Sequence, residues 1–324
     1  MSGLLSPLEL DEMKLRNRIV LPPMATEKST RDGFAIEELY DHYDERSEGP
    51  GLVIVEHSYV NRRGRLSENQ LGIYSDEQVE GLKELAETIK ANGATAAIQI
   101  NHAGGQCDED LTGEKPAAPS EAYFDDTEQL SVEQMEKIKQ DFVSAAERAV
   151  KAGFEAVEIH GAHSFLLGQF MSPLTNQRDD EYGGDLENRM RFPLEIVEEV
   201  NEAVEDISLM YRLGATDMDE DGLTVEEAKI FAERLEEHGV EIIDVSGNMC
   251  GSRPEEYEGK QGYFVPLAEE IKDAVEVPVI GVGGIKEPEY ADDIVREGKV
   301  DLVAVGREQW KDPDWAVKAI EELQ

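Results

Sequence analysis

Two histidines three positions apart, His160 and His163, end an apolar run in the stretch EIHGAHSFLLGQFMSP. Such a pair could bind a metal ion, transfer a proton, or hold a ligand oxygen with two N–H donors. No carboxylate or third histidine stands at metal spacing nearby, so we predict no metal here. A structural role for one histidine is the other alternative. If the run is a barrel strand, the pair is best interpreted as two donors aimed at a ligand oxygen.

A second candidate site is rich in glycine. Backbone N–H groups of glycine turns can bind phosphate oxygens, and an arginine can balance the charge. These glycines could instead only form tight turns, and GVGGIK fails the dinucleotide fingerprint because Lys286 replaces its last glycine. Two clusters after consecutive apolar runs favour a phosphate site. They comprise Gly281, Gly283 and Gly284, then Gly306 and Arg307.

Eight short apolar runs, each followed by a helical pattern, have to position these groups. The predicted strands are 18–24, 51–58, 94–101, 155–162, 208–214, 241–247, 277–284 and 301–307, and the predicted helices include 76–92, 131–152, 187–204 and 224–238. Continuously apolar runs are typical of parallel strands buried on both faces. Eight such units favour an α/β fold with a closed (β/α)8 TIM barrel over an open doubly wound sheet. We predict one domain over residues 1–324.

Two long connections interrupt the strand–helix alternation. Residues 102–130 are rich in Gly, Asp and Pro, and residues 248–265 form the second connection. Both follow predicted strands, so both belong at the C-terminal face, where barrel active sites are built. Long loops in a compact domain are usually functional or mobile. We therefore expect these two loops to cover the active site.

The charge of the chain restricts its partners. It has 72 acidic and 31 basic residues, a net charge of −41, and the acids are spread along the sequence. This predicts a strongly charged surface whose self-repulsion salt would screen, which fits a salt-rich cytoplasm, although an ordinary acidic protein is the alternative. Nucleic acid and anionic membranes are excluded as partners by charge repulsion.

Cysteine content and hydropathy exclude further classes. The only cysteines are Cys107 and Cys250, too few for a four-cysteine iron–sulfur or zinc site or for a disulfide framework. The N-terminus lacks the basic start and apolar core of a secretion signal, and no run of about 18 apolar residues occurs. We expect a soluble, cytoplasmic protein. The sequence does not decide whether it is a homo-oligomer.

A longer stretch, AGFEAVEIHGAHSFLLGQFMSPLTNQRDDEYGGDLENRMRF (152–192), closely resembles the signature of the old yellow enzyme family of FMN-dependent barrels. The resemblance extends over essentially the whole chain. It includes LRNRIVLPPMA near the start, QINHAGG (99–105), Arg212, the glycine clusters and GREQWKDPDW (306–315). It implies an enzyme with FMN as cofactor, NAD(P)H as reductant and a small-molecule substrate that is an activated alkene or a similar acceptor.

The resemblance also implies roles for individual residues. Gln99 would bind the pyrimidine edge of the flavin, and Arg212 would stabilise negative charge at its N1–C2=O end. His160 and His163 would bind the carbonyl oxygen of the substrate, in agreement with the two-donor interpretation. The remaining cofactor contacts would be Pro23, Met24 and Ala25 along the flavin, and Gly283, Gly284, Gly306 and Arg307 at its phosphate.

The chain departs from the family pattern in the substrate site. Phe165 replaces the tyrosine that protonates the substrate, and Ser164 replaces a glycine. Phenylalanine has no proton to give. Water or another side chain, with Tyr263 and Glu27 as candidates, would then have to supply the proton. The alternatives are therefore a flavin or quinone reductase with weak alkene reduction, or a non-catalytic flavin-binding barrel.

Other departures bear on substrate choice. Gly105 stands where the family motif has arginine, and Ala25 and Glu27 replace a cysteine and a tyrosine of one bacterial subclass. His57 stands where the family usually has a small residue near the flavin. Its side chain is either a new polar contact in the site or directed away from it, and the sequence does not decide. His102 is expected to be structural or part of the pocket wall.

Overall fold

Eight parallel strands form a closed barrel in the computed structural model, which describes residues 3–10, 13–204 and 207–324. In chain order, barrel strands one to eight are Ile19–Leu21, Leu52–Tyr59, Thr95–Asn101, Ala156–Gly161, Ser208–Gly214, Ile242–Ser246, Val279–Gly281 and Leu302–Ala304. Each strand pairs with its neighbours in sequence, and strand eight pairs with strand one. This confirms the predicted (β/α)8 barrel, and each observed strand overlaps a predicted one.

Helices surround the barrel and connect its strands. Their bounds are Glu37–Asp44, Val79–Ala91, Glu109–Thr112, Val132–Ala152, Leu166–Met171, Leu186–Ala203, Val225–Glu237, Val265–Lys272, Pro288–Arg296, Arg307–Lys311 and Trp315–Leu323. Capping boxes begin three of the predicted helices, with Ser75, Ser131 and Thr224 as the N-caps. The helix after Ser131 ends at Gly153 in the left-handed conformation, as glycine C-caps commonly do.

Shorter elements lie outside the barrel. Leu8–Glu9 and Lys14–Leu15 pair antiparallel before strand one. Inside the 102–130 connection, Ala117–Ala118 pairs with Glu128–Gln129, so this predicted loop carries some structure of its own. Among the described residues, no helix has both the length and the apolar character needed to cross a lipid bilayer.

The barrel interior changes from apolar to polar along its strands. Side chains two positions apart on a strand point to the same face. Four neighbouring strands each place an apolar residue below a polar one: Ala97 below Gln99, Ala156 below Glu158, Met210 below Arg212, and Ile242 below Asp244. We call the apolar layer, which also contains Val20, Leu52, Ile54, Ile280, Leu302 and Ala304, the barrel floor. The polar layer above it, with His160, is the barrel mouth.

Candidate active site

The barrel mouth is assembled by strand register. His160 on strand four pairs with Arg212 on strand five, and Arg212 pairs in turn with Asp244 on strand six. These three side chains therefore stand beside one another at the same height. The Nε atom of Arg212 lies 3.4 Å from a carboxylate oxygen of Asp244, and all three residues are buried. The arrangement holds a buried cation in the mouth, between His160 and Asp244.

A second carboxyl group completes this buried cluster. Gln99 donates from Nε2 to Glu158 at 2.6 Å. The pKa of Glu158 is raised to about 8, first by burial and then by the nearby Asp244, while Arg212 and the hydrogen bond from Gln99 oppose the shift. Burial also raises the pKa of Asp244, and Arg212 opposes that shift. The two carboxyl groups and Arg212 therefore form one coupled buried cluster. Glu158 and Asp244 were missed at the sequence level, although a charged residue inside each apolar strand was a visible signal.

The two predicted histidines lie together, with ring centroids 5.2 Å apart and planes nearly perpendicular. The backbone N–H of Ala162 donates to His160 Nδ1 at 3.2 Å, which leaves the proton of this ring on Nε2. His163 Nε2 lies 2.7 Å from Ser246 Oγ, so one of its nitrogens already has a protein partner. Burial lowers the pKa of both histidines well below the usual range, and Arg212 adds to this effect. Both rings are neutral and can act as hydrogen-bond donors.

The backbone that carries these rings is strained. His163 and Ser164 have φ values of 55° and 61°, in the left-handed region that non-glycine residues rarely adopt. Side chains from neighbouring elements bind the exposed carbonyls of this turn. Gln106 donates to the carbonyls of His163 and Ser164 at 2.9 and 2.6 Å, and Gln169 donates to the carbonyl of Ser164 at 2.6 Å. The surrounding structure therefore enforces the turn that orients His163.

Phe165 lies in the mouth rather than outside it. Its ring meets His160 edge-on with a centroid distance of 4.7 Å, and it stacks on His57 at 5.5 Å. The two candidate replacement proton donors have partners elsewhere. Tyr263 donates from its hydroxyl to the carbonyl of Ser252 at 2.8 Å. Glu27 is exposed and accepts from Ser67 and from the backbone of Asn69.

The predicted phosphate site lies where strands seven and eight end side by side. Gly283 and Gly284 have φ values of 123° and 65°, which favour glycine. A Cβ on Gly284 would lie 2.6 Å from a terminal nitrogen of Arg307, so the guanidinium rests directly against this turn. A Cβ on Gly306 would lie 3.1 Å from the sulfur of Met24, which places the end of strand one beside the same turn. A glycine cradle with one arginine fits a phosphate monoester.

The groups expected at the flavin ring also have unused hydrogen-bonding capacity. Within residues 3–10, 13–204 and 207–324, no hydrogen bond engages the side-chain oxygen of Gln99 or the two terminal nitrogens of Arg212. These atoms are also absent from the fully enclosed polar atoms that lack a partner, so they reach accessible space. Pro23 and Met24 are half-buried and Ala25 is exposed at the end of strand one. This set of donors and acceptors fits the polar edge of a flavin.

Both long connections contact these two regions. Gln106 in the 102–130 connection binds the strained turn, and a Cβ on Gly105 would collide with the ring of Phe124. In the 248–265 connection, the backbone N–H groups of Gly262 and Tyr263 donate to the carbonyl of Gly283 at 2.6 and 3.1 Å. The part of the chain that the structure describes contains no group of three His, Cys, Asp or Glu side chains able to hold a metal ion.

Comparisons with known sequences all indicate the same family. The sequence profile described as the NADH:flavin oxidoreductase / NADH oxidase family matches residues 3–324. The chain is 45% identical to an NADH oxidase of Thermoanaerobacter brockii, with 99% of this chain and 51% of that protein aligned. It is 42% identical to an NADPH dehydrogenase of Bacillus pumilus, with 99% and 95% aligned. The chain thus spans about half of the first relative and nearly all of the second.

Solved structures agree with this result. Morphinone reductase superposes with a TM-score of 0.86 at 28% identity, covering 99% of this chain and 90% of that one. A 2-naphthoyl-CoA reductase bound to 2-naphthoyl-CoA superposes with a TM-score of 0.93 at 26% identity, covering 99% and 52%. An old yellow enzyme homologue from Zymomonas mobilis, at 24% identity, shares the fold with a TM-score of 0.86 and covers 100% and 94%.

Proposed function

This chain belongs to the NADH:flavin oxidoreductase / NADH oxidase family, and we propose that it reduces activated alkenes, the α,β-unsaturated carbonyl compounds. It is an FMN-dependent, NAD(P)H-dependent oxidoreductase of the old yellow enzyme type. The observation that carries the proposal is the neutral His160 ring, whose Nε2–H faces accessible space beside Arg212. Such a fixed donor suits a substrate carbonyl oxygen.

The cofactor residues are assigned by their chemistry. We propose that the phosphate of FMN binds the cradle of Gly283, Gly284, Gly306 and Arg307. Gln99 and Arg212 would bind the polar edge of the ring, with Pro23, Met24 and Ala25 beside it. When bound, FMN supplies the hydride chemistry that links NAD(P)H to the acceptor. The connections 102–130 and 248–265 border the site through Gln106 and through the backbone of Gly262 and Tyr263.

The histidines act on the acceptor by hydrogen bonding. His160 donates from Nε2 to the carbonyl oxygen and stabilises the negative charge that develops there when the β-carbon gains hydride. His163 contributes through the nitrogen that Ser246 leaves available. Because both rings are neutral, they polarise the carbonyl by donating hydrogen bonds to its oxygen and keep their own protons. The loss of one such donor typically slows catalysis by about 10²–10³-fold.

Phe165 cannot supply the proton that the α-carbon of the substrate needs. The phenyl ring occupies the mouth but cannot donate, so water has to deliver the proton. General acid catalysis contributes about 10²–10⁴-fold, which makes alkene reduction slower than hydride transfer to quinones. This observation favours quinone reduction as the second candidate activity.

A half-reaction experiment tests both candidates. The enzyme is reduced anaerobically with NADH or NADPH, and flavin reoxidation by cyclohex-2-enone and by a quinone is followed by absorbance. We expect both acceptors to reoxidise the flavin, with the quinone faster. The substitution Phe165→Tyr should speed enone reduction at least tenfold and leave quinone reduction unchanged. Protein that binds FMN but is not bleached by either nicotinamide would contradict the proposed function.

A further inference from the structure

A β-bulge directs His57 into the barrel mouth. On strand two, Ile54 belongs to the barrel floor while Val53 and Val55 pack in the outer core. Regular alternation would therefore turn His57 outward, with Val53 and Val55. The register with strand three shifts between Val55 and Ser58, which adds one residue to strand two at this point. Bulges of this kind re-aim side chains next to active sites.

The position of the His57 ring confirms that it points inward. Its centroid lies 5.5 Å from that of Phe165, with the planes stacked, and 6.4 Å from that of His160. The residue is 8% exposed. The rings of His57, Phe165 and His160 therefore stand at the corners of a triangle and line the same space.

Gln70 fixes the position of the proton on this ring. The backbone N–H of Leu66 donates to the Oε1 atom of Gln70 at 2.8 Å, so this oxygen is the acceptor of the amide. The Nε2 atom then donates to the backbone carbonyl of His57 at 2.9 Å and to its Nδ1 at 2.8 Å. A nitrogen that accepts a hydrogen bond carries no proton, so the proton of neutral His57 is on Nε2.

The Nε2–H of His57 is available to a ligand. Within the described residues no hydrogen bond engages it, and it is not among the enclosed polar atoms without partners, so it reaches accessible space. Burial holds the pKa of this ring at about 4, because desolvation outweighs the opposing effect of Glu27. A neutral imidazole can donate a hydrogen bond, but loss of its remaining proton would leave an imidazolate. His57 is therefore a binding group and not a replacement acid.

We propose that His57 Nε2–H binds a second oxygen of the acceptor, so that the enzyme prefers ene-diones and quinones over simple enones. The proposal rests on the proposed function and names a substrate class for it. One acceptor oxygen is held by His160 and the other by His57, whose ring centroids lie 6.4 Å apart beside the ring of Phe165. The flavin ring edge is the other source of a hydrogen-bond acceptor, and the experiments below separate the two.

Binding of saturated ligands tests this without turnover. The oxidised holoenzyme is titrated with cyclohexane-1,4-dione and with cyclohexanone, and the flavin absorbance change gives each dissociation constant. The wild type should bind the diketone more tightly. The substitution His57→Ala should reduce this preference about fivefold to tenfold, the effect of one neutral hydrogen bond. An unchanged preference would overturn the proposal.

The same pair of ligand classes tests the effect during catalysis. Reoxidation rates of the reduced enzyme with cyclohex-2-ene-1,4-dione and cyclohex-2-enone are compared in both variants. His57→Ala should lower the ratio of the ene-dione rate to the enone rate. Comparing this ratio between the two proteins removes the contribution of each acceptor's intrinsic reactivity. Equal loss for both acceptors, together with a shifted midpoint potential of FMN, would mean that His57 serves the flavin and would overturn the proposal.

A matched variant keeps the ring and moves its proton. In Gln70→Glu the carboxylate can only accept, so the shorter contact at Nδ1 requires a proton on that nitrogen, and Nε2 loses its proton. The amide of Asn101, 3.3 Å from Nδ1, is the weaker partner at this nitrogen. This variant should lose the diketone preference as His57→Ala does. Nitrogen-15 NMR of histidine-labelled protein should show His57 protonated on Nε2 in the wild type and on Nδ1 in the variant. A wild-type ring protonated on Nδ1 would exclude the proposal.

These outcomes are distinguishable from failure of the proposed function. If the wild type does not reduce enones but binds the diketone in a His57-dependent manner, only the alkene reductase assignment fails. If enones are reduced but the ligand preference is independent of His57, only this inference fails.

Discussion

The proposed phosphate end and the proposed substrate end of the site are built from different parts of the chain. At the phosphate end, glycine backbone and one arginine form a cradle in which an added Cβ has no room. At the substrate end, side chains of His57, His160 and Phe165 line the space. The first region matches the family pattern, and the second departs from it. A site made of side chains can change one residue at a time, whereas a backbone cradle cannot.

The largest effect that we predict concerns the substrate end. His160→Ala removes a donor whose proton is fixed by the Ala162 backbone, and should slow reoxidation of reduced enzyme by cyclohex-2-enone about 10²–10³-fold. Stopped-flow absorbance under anaerobic conditions measures this rate. FMN binding should remain intact. His42→Ala, a buried histidine on the helix Glu37–Asp44, is the control and should leave the rate unchanged. A loss below threefold would refute the donor role.

Substitutions at the phosphate end should change the affinity for FMN rather than the reaction rate. In Gly284→Ala the new Cβ meets Arg307 and the carbonyl of Lys260, and the left-handed backbone is strained. We expect FMN to bind about 100-fold more weakly, measured by the recovery of FMN fluorescence on dilution. Gly298→Ala has a similar φ of 79° but an open surrounding, so it controls for strain alone. Equal FMN loss in both variants would contradict the cradle.

Acid should lower the free energy of unfolding through His57, a residue at the substrate end. The pKa of His57 is lowered by burial to about 4, against an ordinary value near 6.5. Between these values the unfolded chain takes up a proton that the folded chain does not. Stability therefore falls as the pH drops from 6.5 to 4, by up to about 1.4 kcal/mol per pH unit for this residue. His57→Ala should flatten the slope by that amount in denaturant unfolding measured across the range, and an unchanged slope would refute the shift.

The smallest effect concerns the strained turn. Ser164 has a φ of 61°, and left-handed backbone costs a non-glycine residue about 1–2 kcal/mol. Glycine would remove this cost, but it also increases the conformational entropy of the unfolded chain, which cancels part of the gain in stability. Ser164→Gly should raise the free energy of unfolding by about 0.5 kcal/mol in urea titrations. Ser131→Gly, at a helix N-cap with a φ of −74°, should lower it instead. Destabilisation by Ser164→Gly would show that the hydroxyl matters more than the strain.

The sequence predicted most of the barrel because its signals are local. Apolar runs identify strands, and the strand order then places His160, Arg212 and Gly284 at one face. It could not place His57, because the bulge that re-aims this residue depends on pairing with strand three. Nor could it predict the proton position on that ring, since Gln70 reaches it from a separate segment. These properties arise from tertiary contacts that no local pattern encodes.

The change from apolar floor to polar mouth also affects how the barrel opens. Each of strands three to six has densely packed apolar contacts below and buried polar groups above, some of them without partners, such as one oxygen of Glu158. Local opening is easiest where apolar contacts are fewest. Backbone amides should therefore exchange with deuterium faster at the carboxyl end of a strand than two residues earlier. Fluctuation is then graded within single strands, greatest where ligands bind and least at their base.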